Sequence, residues 1–192
     1  MKMDSVDAWF EQELRDMYDA EKRLTKALPK AAKAANSEEL KTAFQEHLEV
    51  TKNQVTRLEE VFRLCDLKPR AKQCAGMVGI LEEAEEIIGS DGEEPITDLA
   101  LAAAARKVEN YEITAYKTLQ MLAENMGNQE VQDLIQESLT EEEETDQQLA
   151  ELCTQLLESA AQGPEAEDSE EDEEMVEAEE EDEPVTTGSR RR

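Results

Sequence analysis

The sole histidine, His47, lies on a helical seam otherwise marked by Leu40, Phe44, Leu58, Val61 and Cys65. Alternating steps of three and four residues carry that seam through positions 47, 51 and 54, which are His47, Thr51 and Gln54. Three further segments are interrupted in the same way. Glu21 stands between Met17 and Leu24, Glu112 between Val108 and Ala115, and Ser138, Glu142 and Thr145 between Ile135 and Leu149. An ionised carboxylate facing an apolar core is costly unless it is paired, hydrogen-bonded or bound to metal. Several facing one another raise at least one proton affinity as well. A divalent or trivalent cation removes the conflict, and glutamate oxygens with a histidine nitrogen form a ligand set suited to iron or manganese.

Carboxylate-bridged two-metal bundles take one Glu from each of two helices and a Glu-x-x-His pair from each of the other two. Here Glu21 and Glu112 supply the single glutamates, but the paired positions read Thr51-x-x-Gln54 and Glu142-x-x-Thr145. Both histidines and one carboxylate of that pattern are missing. His47, one turn before Thr51 on the same face, is placed to enter the site, so the set suits one metal or a weak pair. Glu109, Glu143 and Asp146 border the seam, and the run EEEETD leaves open which acids face inward. Tyr18, Tyr111 and Tyr116 are candidate hydrogen-bond partners of these groups. The competing reading is a satisfied polar layer, in which His47 hydrogen-bonds Glu21, Glu112 or Glu142 and fixes register without a metal.

The elements that must position these residues are helices. Ala, Leu, Glu, Lys and Gln dominate and aromatics make up only 4%, a composition suited to long helices and poor for sheets. Amphipathic periodicity predicts helices over 6–35, 37–65, 96–126 and 129–159, and a shorter one in CAGMVGILEEAEEII within the connection 66–95. Ser37 followed by acids is a helix start, Pro69 lies beyond a helix end, and Gly127 suits the position after a helix C-terminus. The first seam reads Leu14, Met17, Leu24, Leu28, Ala31, Ala35; the third reads Leu101, Ala105, Val108, Ala115, Leu119, Leu122. Two short-loop hairpins joined by one long crossover predict an all-α, ferritin-like four-helix bundle with a short helix between helices 2 and 3. A shift of 91 positions superimposes the halves: Leu28 on Leu119, Leu40 on Val131, Phe44 on Ile135, Leu58 on Leu149. The same shift pairs Glu21 with Glu112, His47 with Ser138, Thr51 with Glu142 and Gln54 with Thr145, as a duplicated hairpin would.

The formal net charge is −29, and 14 of the 19 residues from Glu165 to Glu183 are acidic. Nucleic-acid and anionic-membrane binding are disfavoured, since both need clustered lysine and arginine. Residues 1–162 read as the bundle, and 163–192 as a disordered acidic tail ending in GSRRR. Three cysteines without CxxC spacing, and the lack of an apolar leader or membrane-length run, point to reduced thiols and a cytoplasmic location. Cys65 and Cys153 read as small core residues.

The blocks LRDMYDAEKRLTKALPKAAKAA, LKTAFQEHLEVTKNQVTRLEEVF, CAGMVGILEEAEE and KVENYEITAYKTLQMLAENMG together resemble the YciF-type ferritin-like stress proteins of bacteria, over roughly Val6 to Leu157. The resemblance implies a rubrerythrin-like bundle, a homodimer, expression under stress and a metal site of unestablished reaction. By position it places the acidic and histidine blocks on Glu21, His47, Glu109, Glu112, Glu142, Glu143 and Asp146. The family often has His in the ENYEI block, where this chain has Asn110, which removes a nitrogen ligand from the expected set. The expected function is a metal-binding protein of the stress response, related to peroxide or oxygen. The alternative is a non-enzymatic dimer whose acidic tail contacts basic partners. PVTTGSRRR distantly resembles the cargo signals that load ferritin-like proteins into an encapsulating shell, though it lacks their leucine after Gly-Ser.

Overall fold

The computed structural model describes residues 4–162 apart from 91 and 93. They form α1 (Val6–Ala34), α2 (Glu38–Leu64), α3 (Ala75–Ile88), α4 (Ile96–Met126) and α5 (Gln129–Gln162), with no strand among the described residues. The acidic tail and PVTTGSRRR lie outside the described residues. The helices match the periodicity to within a few residues; α5 runs past Ser159 through an Ala-Ala-Gln turn that favours helix. The all-α bundle with a short crossover helix, expected from the seams, is the observed fold.

Local chemistry explains the helix ends. Ser5 Oγ accepts from Ala8 N at 3.1 Å, Ser37 Oγ from Leu40 N at 3.3 Å and Asn128 Oδ1 from Val131 N at 3.2 Å, each capping a helix start. At the end of α4, Gly127 adopts φ 71°, the left-handed conformation that glycine takes without steric penalty. α2 stops earlier than Pro69 requires. Asp66 takes φ 55°, and Leu67 N donates to Phe62 O at 2.8 Å while Asp66 N donates to Arg63 O at 3.1 Å. This is a Schellman turn built on a non-glycine residue.

α1 packs along α2 and α4 along α5 as two hairpins; α1 also meets α4, and α2 meets α5. Leu14, Leu40, Phe44, Leu58, Leu119 and Ile135 are among the side chains buried between them. Each residue of the four apolar pairs related by the 91-residue shift is buried. The strict seam fails at Ala31, Ala105 and Ala115, which are half-buried, while Ala32, Ala104 and Tyr116 are buried instead. A helix of 3.6 residues per turn drifts about 20° per heptad from a 3.5-residue pattern, so the inward position moves by one residue in a long helix. Cys65 and Cys153 are free, half-buried thiols packed against the core.

The crossover helix α3 lies against α1 and α4. Cys74 N donates to Asp19 Oδ2 at 2.8 Å, and Tyr111 Oη sits 2.8 Å from Cys74 Sγ and 3.2 Å from Asp16 Oδ2. A Cβ at Gly76 would come within 2.6 Å of the Tyr111 ring, so glycine permits the close approach of α3 to α4.

One buried carboxylate is wholly structural. Asp98, in the first turn of α4 and 2% exposed, accepts from Asn36 N at 3.0 Å and Ser37 N at 2.6 Å. It stitches the turn of the first hairpin to the start of the second. Asp98→Ala leaves both amides without their acceptor and should lower stability by about 2–3 kcal/mol, read as an earlier urea midpoint with an unchanged slope.

Candidate metal centre

Near the middle of the bundle each long helix turns polar side chains inward. α1 contributes Glu21, α2 His47, Thr51 and Gln54, α4 Glu109 and Glu112, and α5 Ser138 and Glu142; none is more than 6% exposed. His47, Glu109, Glu112 and Glu142 each offer one ligand atom, and these atoms all lie within 4.8 Å of one another. His47 Nε2 is 3.4 Å from Glu109 Oε1 and 3.9 Å from Glu142 Oε2.

The surrounding bonds orient the imidazole. Thr145 Oγ1 donates to Glu141 O at 2.9 Å and lies 3.4 Å from His47 Nδ1, where its oxygen can accept from the ring. With the ring proton on Nδ1, the Nε2 lone pair faces the carboxylates of Glu109 and Glu142. Burial holds His47 below its ordinary value of 6.5, against the pull of Glu142 and Glu141, and keeps the ring neutral. A neutral imidazole with its other nitrogen hydrogen-bonded is the form that binds metal.

The carboxylates are held with equal care and left unfinished. Tyr116 donates to Glu21 Oε1, and Gln54 Nε2 donates to Glu142 Oε1. Yet both oxygens of Glu112, one oxygen each of Glu21, Glu109 and Glu142, and His47 Nε2 have no hydrogen-bond partner. Buried polar atoms are normally satisfied, and these unpartnered atoms, with Gln54 Oε1 beside them, form a set that could hold a positive charge. Thr51 bonds the His47 carbonyl at 2.9 Å and takes no part in this.

Three sequence candidates lie outside this cluster of four: Glu21, which stays in the buried polar layer beside it, and Glu143 and Asp146, which turn away. Glu143 is exposed and paired with Lys117 at 2.6 Å, because it lies about 100° round the helix from Glu142. Asp146 is turned to Arg106, at 2.8 Å, and to Asn110 Nδ2, at 2.9 Å. Asn110 is itself exposed, so a histidine there would face outward and is no lost ligand. Of the three tyrosines, Tyr116 alone bonds a carboxylate of this polar layer. Tyr18 donates to Glu59 at 2.6 Å, and Tyr111 faces Cys74 and Asp16.

The duplication also shows why the site is lopsided. Under the 91-residue shift Glu112 answers to Glu21, but His47 answers to Ser138, Glu142 to Thr51 and Glu109 to Tyr18. Only one of the four clustered residues has a carboxylate or histidine as its mate. Beside Ser138 stands Arg57, which donates to Ser138 Oγ at 2.8 Å, to Glu141 at 2.9 Å and to Glu137 at 2.7 Å. A guanidinium there repels a second cation. Arg57 was not evident from the sequence; its signal was the pair Glu137 and Glu141, one turn apart on α5 and matched to its two-pronged head.

Without a cation, protons must neutralise the cluster. Glu21, Glu109 and Glu112 all lie well above the ordinary value of 4.5, first because of burial. The next cause is the charge of Glu142 for Glu21 and Glu109, and of Glu21 for Glu112. Between 4.5 and the raised values the folded protein binds more protons than the unfolded chain, so these groups make stability fall as pH rises. His47, shifted down, acts oppositely just below 6.5 but is one group against three. Thermal unfolding of the metal-free protein should therefore show a melting temperature that decreases from about pH 5 to about pH 8, with the decrease reduced in Glu112→Gln.

Residues 5–162 match the family model described as "Domain of unknown function (DUF892)". The chain is 43% identical over 154 residues to Protein YciF of Escherichia coli strain K12, covering 80% of this chain and 93% of that protein. The crystal structure of the E. coli stress protein YciF superimposes with a TM-score of 0.79 at 41% identity, over 81% of this chain and 99% of that one. YcfI from Rhodopseudomonas palustris superimposes with a TM-score of 0.76 at 34% identity, over 78% of this chain and 95% of that one. Bundle, crossover helix and matched span agree, and the chain belongs to the DUF892 family, alongside the stress protein YciF.

Proposed function

We propose that the protein binds one divalent transition-metal cation, iron or manganese, through His47 Nε2 and the carboxylates of Glu109, Glu112 and Glu142. Glu21 stands beside them. The observation that carries this reading is the convergence of four buried ligand atoms within 4.8 Å, each from a side chain with an unpartnered atom. The lopsided duplication and the Arg57 guanidinium favour one cation over two.

Iron or manganese, when bound, supplies one-electron chemistry toward peroxide or oxygen, in keeping with the E. coli relative being a stress protein. The chain's own residues do the holding. Thr145 Oγ1 faces His47 Nδ1, Gln54 orients Glu142, and Tyr116 holds a proton on its oxygen toward Glu21. Burial pushes the Tyr116 phenol well above its ordinary value, so it remains a donor at neutral pH. The buried apolar side chains of Leu24, Phe44, Leu119 and Ile135 belong to the same core, and a low-polarity surrounding strengthens charge interactions.

Equilibrium dialysis with elemental analysis tests this directly. The native protein should take up one Mn²⁺ or Fe²⁺ per chain, and His47→Ala and Glu112→Gln should each weaken binding at least about tenfold. Glu143→Gln and Asp146→Asn should bind as the native protein does. Absence of uptake, or equal uptake by His47→Ala and Glu112→Gln, would leave only a structural polar layer.

A further inference from the structure

A cavity of about 690 Å³ opens between α2 and α5 and reaches two of the four ligands, His47 and Glu109. Seven glutamates line it, and no lysine or arginine does, among the described residues. Glu141 is held by Arg57, but Glu46 and Glu144 are exposed and sit next in sequence to His47 and Thr145. His47 itself, 6% exposed and with Nε2 unpartnered, is part of this wall.

The acidity of the whole chain does not account for this wall. A second cavity, of about 550 Å³ between α1, α3 and α4, also reaches Glu109. Its lining balances Asp19, Glu82 and Glu85 with Lys22, Arg23, Lys26 and Lys30. Two routes therefore approach the same carboxylate, and one of them is purely acidic. A cleft walled by charge of one sign focuses the field and concentrates the opposite ion at its floor.

We infer that the α2–α5 cleft is the entry path of the metal cation, with Glu46 and Glu144 capturing a hydrated divalent ion at the surface and passing it to His47 and Glu109. This rests on the metal-binding reading above and adds a route to it. The route predicts effects on rate rather than on final occupancy, since Glu46 and Glu144 are not ligands of the bound ion.

Stopped-flow loading with Co²⁺, followed by its visible absorption, separates the two. At low ionic strength Glu46→Gln with Glu144→Gln should slow the second-order uptake at least about threefold and flatten its salt dependence, while the final cobalt content stays that of the native protein. Glu82→Gln with Glu85→Gln removes the same charge from the other cavity and should load at the native rate. Uptake by the Glu46/Glu144 variant at the native rate overturns the path, as does equal slowing in both pairs. Loss of final occupancy in the Glu46/Glu144 variant overturns it too, since those residues would then be ligands. A native protein that binds no cobalt, manganese or iron removes the underlying metal site instead.

Discussion

Four ionisable side chains of net negative tendency, taken out of water at the centre of a helical bundle, need a positive charge or a set of protons. Much of the structure answers to that demand. The imidazole has its Nδ1 beside a threonine hydroxyl, one carboxylate is steered by an amide and another by a phenol, and several polar atoms of the layer remain without partners. Burial raises the carboxyls and lowers the imidazole. In both cases the group is pushed toward its neutral form. A divalent cation satisfies the same atoms without asking the carboxyls to hold protons at neutral pH.

Two helical hairpins whose apolar positions match under a 91-residue shift form the scaffold, and their polar positions differ. The apolar pairs of the two halves remain interchangeable, because packing asks only for hydrophobic volume. The polar layer has not stayed symmetric. Glu109, Glu142 and His47 face Tyr18, Thr51 and Ser138 as their mates, and Arg57 brings a fixed positive charge to the poorer side. One half thus holds the clustered carboxylates and imidazole, while the matching positions of the other form a network of hydrogen bonds and ion pairs. A similar asymmetry marks the surface above, where an acidic cleft between α2 and α5 contrasts with a charge-balanced one beside α3.

Not every buried acid belongs to this chemistry. Asp98 is as deeply buried as Glu109, but its oxygens are filled by the backbone amides of Asn36 and Ser37. Satisfied oxygens mark a structural role and orphaned ones mark a site. The distinction is invisible in burial alone and clear once the hydrogen bonds are traced. It also sets Asp146, committed to Arg106 and Asn110, apart from Glu142, four residues earlier on the same helix.

What the sequence determined by itself was the periodic part of the molecule. Four long seams, their caps, the short crossover helix and the inward placement of Glu21, His47 and Glu112 all follow from spacing, because helical geometry assigns each residue a face, whereas the run EEEETD left the choice of Glu142 to the tertiary structure. What tertiary structure decided was which flanking groups turn in and which turn out. Glu109 enters while Asn110, Glu143 and Asp146 leave, since Lys117 and Arg106 on α4 draw the α5 acids outward. Arg57 and Asp98 find partners some 60 to 80 residues away. Such choices depend on charges from other helices meeting across a gap, and a seam read along one helix carries no record of what will stand opposite it.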